Sequence, residues 1–91
     1  MPKESSIEKS LVRQCKAKGI MCLKLVPISQ IGFPDRTLLR NGRVAFVEVK
    51  KPGGKVAPQQ KAWHRLLAMF GCPVWVVSSV AEFDQIFERF E

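Results

Sequence analysis

Histidine is almost missing from this chain: His64 stands alone among 91 residues, which excludes a zinc site built from several imidazoles. Cysteine is scarce too. Cys15, Cys22 and Cys72 are odd in number and widely spaced within apolar patterns, which favours reduced core thiols over a disulfide framework or a cysteine-rich zinc site. No apolar run approaches the length of a membrane-spanning helix, and Met1 to Lys9 carries charge where a secretory signal needs an apolar core. The expectation is a cytoplasmic protein without a membrane partner. Repeats, linkers and low-complexity tracts are absent as well, so a chain that is 46% apolar is expected to form one domain over residues 1–91.

Negative charge is the other scarcity, and its distribution is informative. From Met1 through Ala81 the only acids are Glu4, Glu8, Asp35 and Glu48, and the whole chain carries a formal charge of +7. A body this basic suits a polyanion partner, held through phosphate contacts and counterion release. At this size the domain that holds any catalytic site must also meet the substrate, alone or as two copies.

What is present reads as alternating elements. Ser5-Ser6-Ile7-Glu8 has a capping-box pattern, and Ile7, Leu11, Val12 and Cys15 recur at helical spacing until Gly19, which predicts a helix from about residue 6 to 18. Met21 to Val26 alternates as a strand would. Strands are also expected over Arg36 to Arg40 and Arg43 to Lys51, joined by the Asn41-Gly42 turn. Pro58 opens a second helix whose stripe of Trp63, Leu66, Leu67 and Phe70 ends at Gly71. Val74 to Val77 forms a buried strand, and Ser79 with Glu82 repeats the capping box ahead of Phe83, Ile86, Phe87 and Phe90, the inner face of a last helix. The expected fold class is α/β in the order αβββαβα, with helices flanking a mixed four-stranded sheet.

Within the strand Arg43 to Lys51, alternation sends Phe46, Glu48 and Lys50 to one face and Ala45, Val47 and Val49 to the other. An acid beside a lysine in mid-strand is costly when buried unless partners or a ligand satisfy both. The hairpin brings Asp35, just after the Pro34 turn, into the same neighbourhood. Two carboxylates suit Mg2+, which is held by one or two carboxylates plus waters and phosphate oxygens. A metal there would activate water and offset the charge developing on a phosphate, with Lys50 orienting that water or stabilising the phosphorane.

Pro34-Asp35 followed by Glu48-Val49-Lys50 resembles the signature of the PD-(D/E)XK nucleases. More narrowly, the chain resembles a stand-alone VRR-Nuc domain. The matching elements are Glu8 in the first helix, Gly32-Phe33-Pro34-Asp35, Val47-Glu48-Val49-Lys50-Lys51, and Ala57-Pro58-Gln59-Gln60-Lys61-Ala62-Trp63, in that order over about residues 5 to 80. The resemblance implies a restriction-endonuclease-like fold and a Mg2+- or Mn2+-dependent endonuclease acting on DNA. Carried over residue by residue, Asp35, Glu48 and the backbone carbonyl of Val49 are metal ligands. Lys50 is the catalytic lysine, Glu8 supports the metal directly or through water, and Gln60 lines the site from the second helix. The resemblance includes small proteins that resolve four-way (Holliday) junctions, and such a junction offers two symmetry-related strands to two symmetry-related sites, so branched DNA as partner, a homodimer and a viral or bacterial setting are expected.

Plainer readings stand beside these. Glu8 sits where a capping-box glutamate belongs, Gln60 suits a polar helix start, and His64 is kept outside the catalytic set. Arg36, Arg40, Arg43, Lys51, Lys55 and Lys61 are expected to contact phosphate, against the alternative of a solvated charged face. The phenylalanine stripe, with Trp75, is core that could also leave a patch for a second copy. Lys51 to Lys55 lacks the glycine and Ser/Thr pattern of a P-loop. The competing functions are a flap-, end- or single-strand-directed nuclease and a non-catalytic DNA-binding module of the same fold.

Overall fold

The computed structural model describes residues 3–27 and 31–90. Its elements run α1 (Glu4–Ala17), β1 (Met21–Leu23), β2 (Arg36–Arg40), β3 (Arg43–Val49), α2 (Pro58–Met69), β4 (Val74–Val77), a 3-10 turn (Val80–Glu82) and α3 (Phe83–Glu88). This is the expected order. The sheet runs β1-β2-β3-β4, antiparallel except for the β3–β4 pair, which is parallel with α2 as its crossover.

Local chemistry sets the best-defined corners. Asn41 and Gly42 both take positive φ, 51° and 77°, as a two-residue hairpin turn with the sheet's twist requires, and the ladder closes on Arg40 opposite Arg43. Pro58 sits at the first turn of α2, where its missing N–H costs nothing.

Three boundaries differ from the sequence reading. α1 starts two residues early, on Lys3, whose carbonyl accepts from the N–H groups of Ser6 and Ile7 at 3.0 and 3.1 Å. The Ser5–Glu8 box therefore does not form, and Glu4 places the negative charge that the helix start favours. β1 ends at Leu23 instead of Val26 because its ladder, Leu23 opposite Thr37, runs out beside Arg36, Asp35 and Pro34, and Pro34 has no N–H to donate. β3 ends at Val49, although the Lys50 N–H still bonds the Val77 carbonyl at 2.8 Å. At the other end, Glu82 departs from the expected box by reaching back to the Ser78 N–H and hydroxyl, at 3.3 and 3.1 Å.

The two faces of the sheet do different things. One is dry: Leu38, Ala45, Val47, Val49 and Val77 pack against Ile7, Leu11 and Cys15 of α1 and against Phe83, Ile86, Phe87 and Phe90. Trp75 packs against this core too, so the phenylalanine stripe is wholly core and offers no surface patch. Apolar burial here is the main stabilising term. The other face carries Phe46 and Glu48 and is covered by α2, which buries no residue fully and turns Gln60, Trp63, His64 and Leu67 inward. Phe33 stands edge-on between Phe46 and Trp63, at centroid distances of 5.5 and 5.2 Å, and so pins the Gly32–Asp35 segment between sheet and α2. Among the described residues no helix is long and apolar enough to cross a membrane.

Gly32 (φ 92°) is the tight point of that segment: a Cβ there would lie 2.8 Å from the Gln59 carbonyl carbon and 2.9 Å from its oxygen. Gly19 has a similar φ of 73° with open space around it. Gly19→Ala is expected to cost about 1 kcal/mol from the left-handed conformation alone. Gly32→Ala should cost roughly 2–3 kcal/mol, because strain and backbone collision combine. Urea unfolding of both variants checks the ranking, and equal losses would contradict the close approach.

Candidate active site

Glu48 is the centre of the site. β3 projects it onto the α2 face, where only 2% of its surface is exposed. Its Oε2 accepts a hydrogen bond from Gln60 Nε2 at 3.2 Å and lies 3.9 Å from Lys50 Nζ. Lys50 follows the last residue of β3 and retains the alternation, so acid and lysine share one side. Asp35 arrives from the segment pinned by Phe33, and its Oδ2 accepts from the Val49 N–H at 2.7 Å. Burial first, then the neighbouring Asp35 carboxyl, pushes Glu48 up from 4.5 to about 8, with the Lys50 ammonium opposing.

α2 supplies two polar side chains one turn apart. Gln60 divides its amide, its Oε1 accepting from the Ala57 N–H at 2.8 Å while its Nε2 holds Glu48. Helix start and site thus depend on the same side chain. His64 Nε2 faces Glu48 Oε1 at 3.5 Å, and burial, then Lys50, lowers its pKa below 6.5. Sequence reasoning set His64 aside; its signal was the four-residue spacing from Gln60.

Glu8 is engaged by two cations. Its Oε2 accepts from Arg36 Nε at 2.7 Å and lies 3.5 Å from Lys24 Nζ, so it is tied to the residue that follows Asp35. The α1 acid whose charge bears on Glu48 is Glu4, one turn earlier, which the sequence reading did not consider for the site. Arg36 is thereby engaged with Glu8, and Arg43 Nη1 donates to the Arg89 carbonyl. Lys51, Lys55 and Lys61 are exposed, and Arg40 is half-buried. An open cleft of about 370 Å³, with Lys24, Pro27, Ile31 and Phe33 among its walls, leads up to Asp35.

These residues fit a hard divalent cation. Two carboxyls crowd a buried position, and Glu48 Oε1 has no hydrogen-bond partner. A cation would relieve both conditions, and oxygen donors are what Mg2+ and Mn2+ select. Among the described residues no group of three His, Cys, Asp or Glu side chains is placed to hold a metal, so any cation here rests on Asp35 and Glu48 with other oxygens.

The carboxyl pair makes metal-free stability depend on pH. Between 4.5 and about 8 the folded state holds more protons on Glu48 than the unfolded state, so stability falls as pH rises through that window. His64 acts in the opposite sense, but only below its ordinary 6.5. In chelator, Tm is therefore expected to drop from pH 6.5 to 8, and Glu48→Gln should flatten the slope. Melting curves followed by circular dichroism test this, and identical slopes for both proteins would contradict it.

Comparison with known proteins agrees with this architecture. The VRR-NUC domain profile matches residues 3–81. A phage protein named "Putative nuclease p44", from Acyrthosiphon pisum secondary endosymbiont phage 1, is 41% identical over 78 residues, covering 85% of this chain and 84% of that one. A solved structure described as a VRR_NUC domain superposes with a TM-score of 0.87 at 30% identity, with both chains fully covered. A VRR_NUC domain protein shares the fold at a TM-score of 0.77 and 16% identity, over 99% of this chain and 88% of that one. The chain belongs to the VRR-NUC domain family of nucleases.

Proposed function

We propose that this protein is a Mg2+- or Mn2+-dependent endonuclease that works as a two-fold dimer on branched DNA, with the four-way junction as preferred substrate. The observation that carries the catalytic part is the meeting of Asp35, Glu48 and Lys50 around one buried carboxylate in a chain of charge +7. Asp35 and Glu48, with the Val49 carbonyl as a further donor, would hold a divalent cation, which would supply a water of lowered pKa and charge to offset the phosphate. Gln60 holds the Glu48 carboxylate in place. Lys50, already within reach of that carboxylate, directs its ammonium at the attacking water or at a non-bridging phosphate oxygen. Glu8 fixes Arg36 and so the start of β2 beside Asp35. Exposed Lys51, Lys55 and Lys61, with Arg40, hold the flanking backbone.

The dimer reading rests on an apolar surface that the core leaves unused. At the end of α2, Met69 and the following Phe70 are 81% and 78% exposed, Leu66 is exposed one turn before them, and Val76 of the edge strand β4 is exposed as well. A second copy covering this surface would present two sites to the two symmetry-related strands of a junction. The phage relative makes a viral setting the natural one.

Junction, flap, single-stranded and linear duplex DNA, incubated with Mg2+ or Mn2+, test the activity. Junction cutting is expected to dominate, to cease in chelator, and to fall about 10²–10³-fold in Lys50→Ala while junction binding persists. Linear duplex cut as fast as the junction would defeat the structure-selective part. For assembly, light scattering should give twice the 10.3 kDa chain mass, and Phe70→Glu should return the monomer. A monomeric wild type would remove the two-fold argument.

A further inference from the structure

Two polar atoms in the site lack partners, and they face each other. Glu48 Oε1 and His64 Nε2 are both buried without a hydrogen bond, 3.5 Å apart. Left as orphans, each incurs the desolvation penalty of a buried polar group, and a small approach of the imidazole satisfies both. Against the ionised carboxylate, the form that binds a cation, the approach is favourable in one tautomer only. With the proton on Nε2 the ring donates to Oε1; with the proton on Nδ1 two lone pairs would oppose each other.

We infer that His64 is a positioning residue: its Nε2–H holds Glu48 Oε1 while Gln60 Nε2 holds Oε2. The carboxylate is thereby fixed at both oxygens by two side chains one turn apart on α2. Such a clamp sets the plane of the carboxylate and the lone-pair directions it offers to a cation. It removes the rotational freedom about the terminal torsion that Glu48 would otherwise lose on binding. The inference deepens the metal-dependent reading above and rests on it, by assigning α2 the orientation of a ligand carried by β3. Lys50, 3.9 Å from Oε2, remains available for water or phosphate because the α2 side chains do the holding.

A chain with one histidine makes the test clean, since every imidazole signal belongs to His64. Ring ¹⁵N spectra of the wild-type protein at pH 9, where the Glu48 carboxyl is ionised with or without metal, should report protonated Nε2 and bare Nδ1, unchanged by saturating Mg2+. Bare Nε2 in the metal-free protein, or loss of its proton on Mg2+ addition, would overturn the inference; the second result would make the ring a ligand instead. Calorimetric Mg2+ titrations supply the energetic half. His64→Leu is expected to weaken Mg2+ about 10-fold, and His64→Gln, whose amide N–H reaches as Nε2 does, to stay within about 3-fold of wild type. Melting curves of both variants check that they are folded. Equal affinities in wild type and His64→Leu would overturn the positioning role. A wild type that binds neither Mg2+ nor Mn2+ would sink the metal reading together with the positioning role. The metal-free spectrum distinguishes that failure from a missing His64–Glu48 contact.

Discussion

The constraint on which the rest of this structure depends is a carboxyl group buried in the middle of a sheet. Glu48 has its Cα in β3, an inner strand with neighbours on both sides, and its side chain under α2. A buried ionised carboxylate is tolerated only where it is neutralised or surrounded by donors and opposite charge. Lys50, Gln60 and His64 meet that requirement in part, and Asp35 works against it by bringing a second acid into the same place. The arrangement is incomplete as a purely structural device and coherent as a receptor for positive charge.

That placement is feasible because the opposite face of the sheet carries the stability. Alternation along β3 gives Ala45, Val47 and Val49 to a dry core shared with α1 and α3, and leaves Phe46 and Glu48 for the thinner α2 layer. α2 buries none of its residues fully, and its cover depends on the Phe33–Trp63–Phe46 contacts and on polar bonds to Glu48. The functional face is therefore the less stabilised one, as expected where polar groups must be held apart from an apolar interior. The same thinness leaves Leu66, Met69 and Phe70 outside, on the surface proposed to meet a second copy.

Local rules made much of this legible in advance. The Asn41-Gly42 turn needs two residues that tolerate positive φ, Pro58 suits only a first helical turn, and the period of two in β3 divides its side chains between faces. Each of these depends on a residue and its immediate neighbours. The misjudged boundaries are those that depend on distant partners. β1 stops at Leu23 because of where β2 begins, and no pattern within residues 21 to 26 records that. The phenylalanines of α3 looked numerous enough to leave a surface patch, but α1 and the sheet enclose all of them.

The division is sharpest at the site. By itself the sequence determined the order αβββαβα, the basic character of the body and the pairing of Glu48 with Lys50 on one side of a strand, because these follow from composition and short periodicities. Only the tertiary structure decided the company they keep. It tied Glu8 to Arg36 and Lys24, brought the charge of Glu4 to bear on Glu48, and turned His64 toward the free oxygen of that carboxylate. A side chain's partner across 16 or 28 residues is set by how helices pack on a sheet to a fraction of a turn, and that packing is collective, written in no single stretch of the chain.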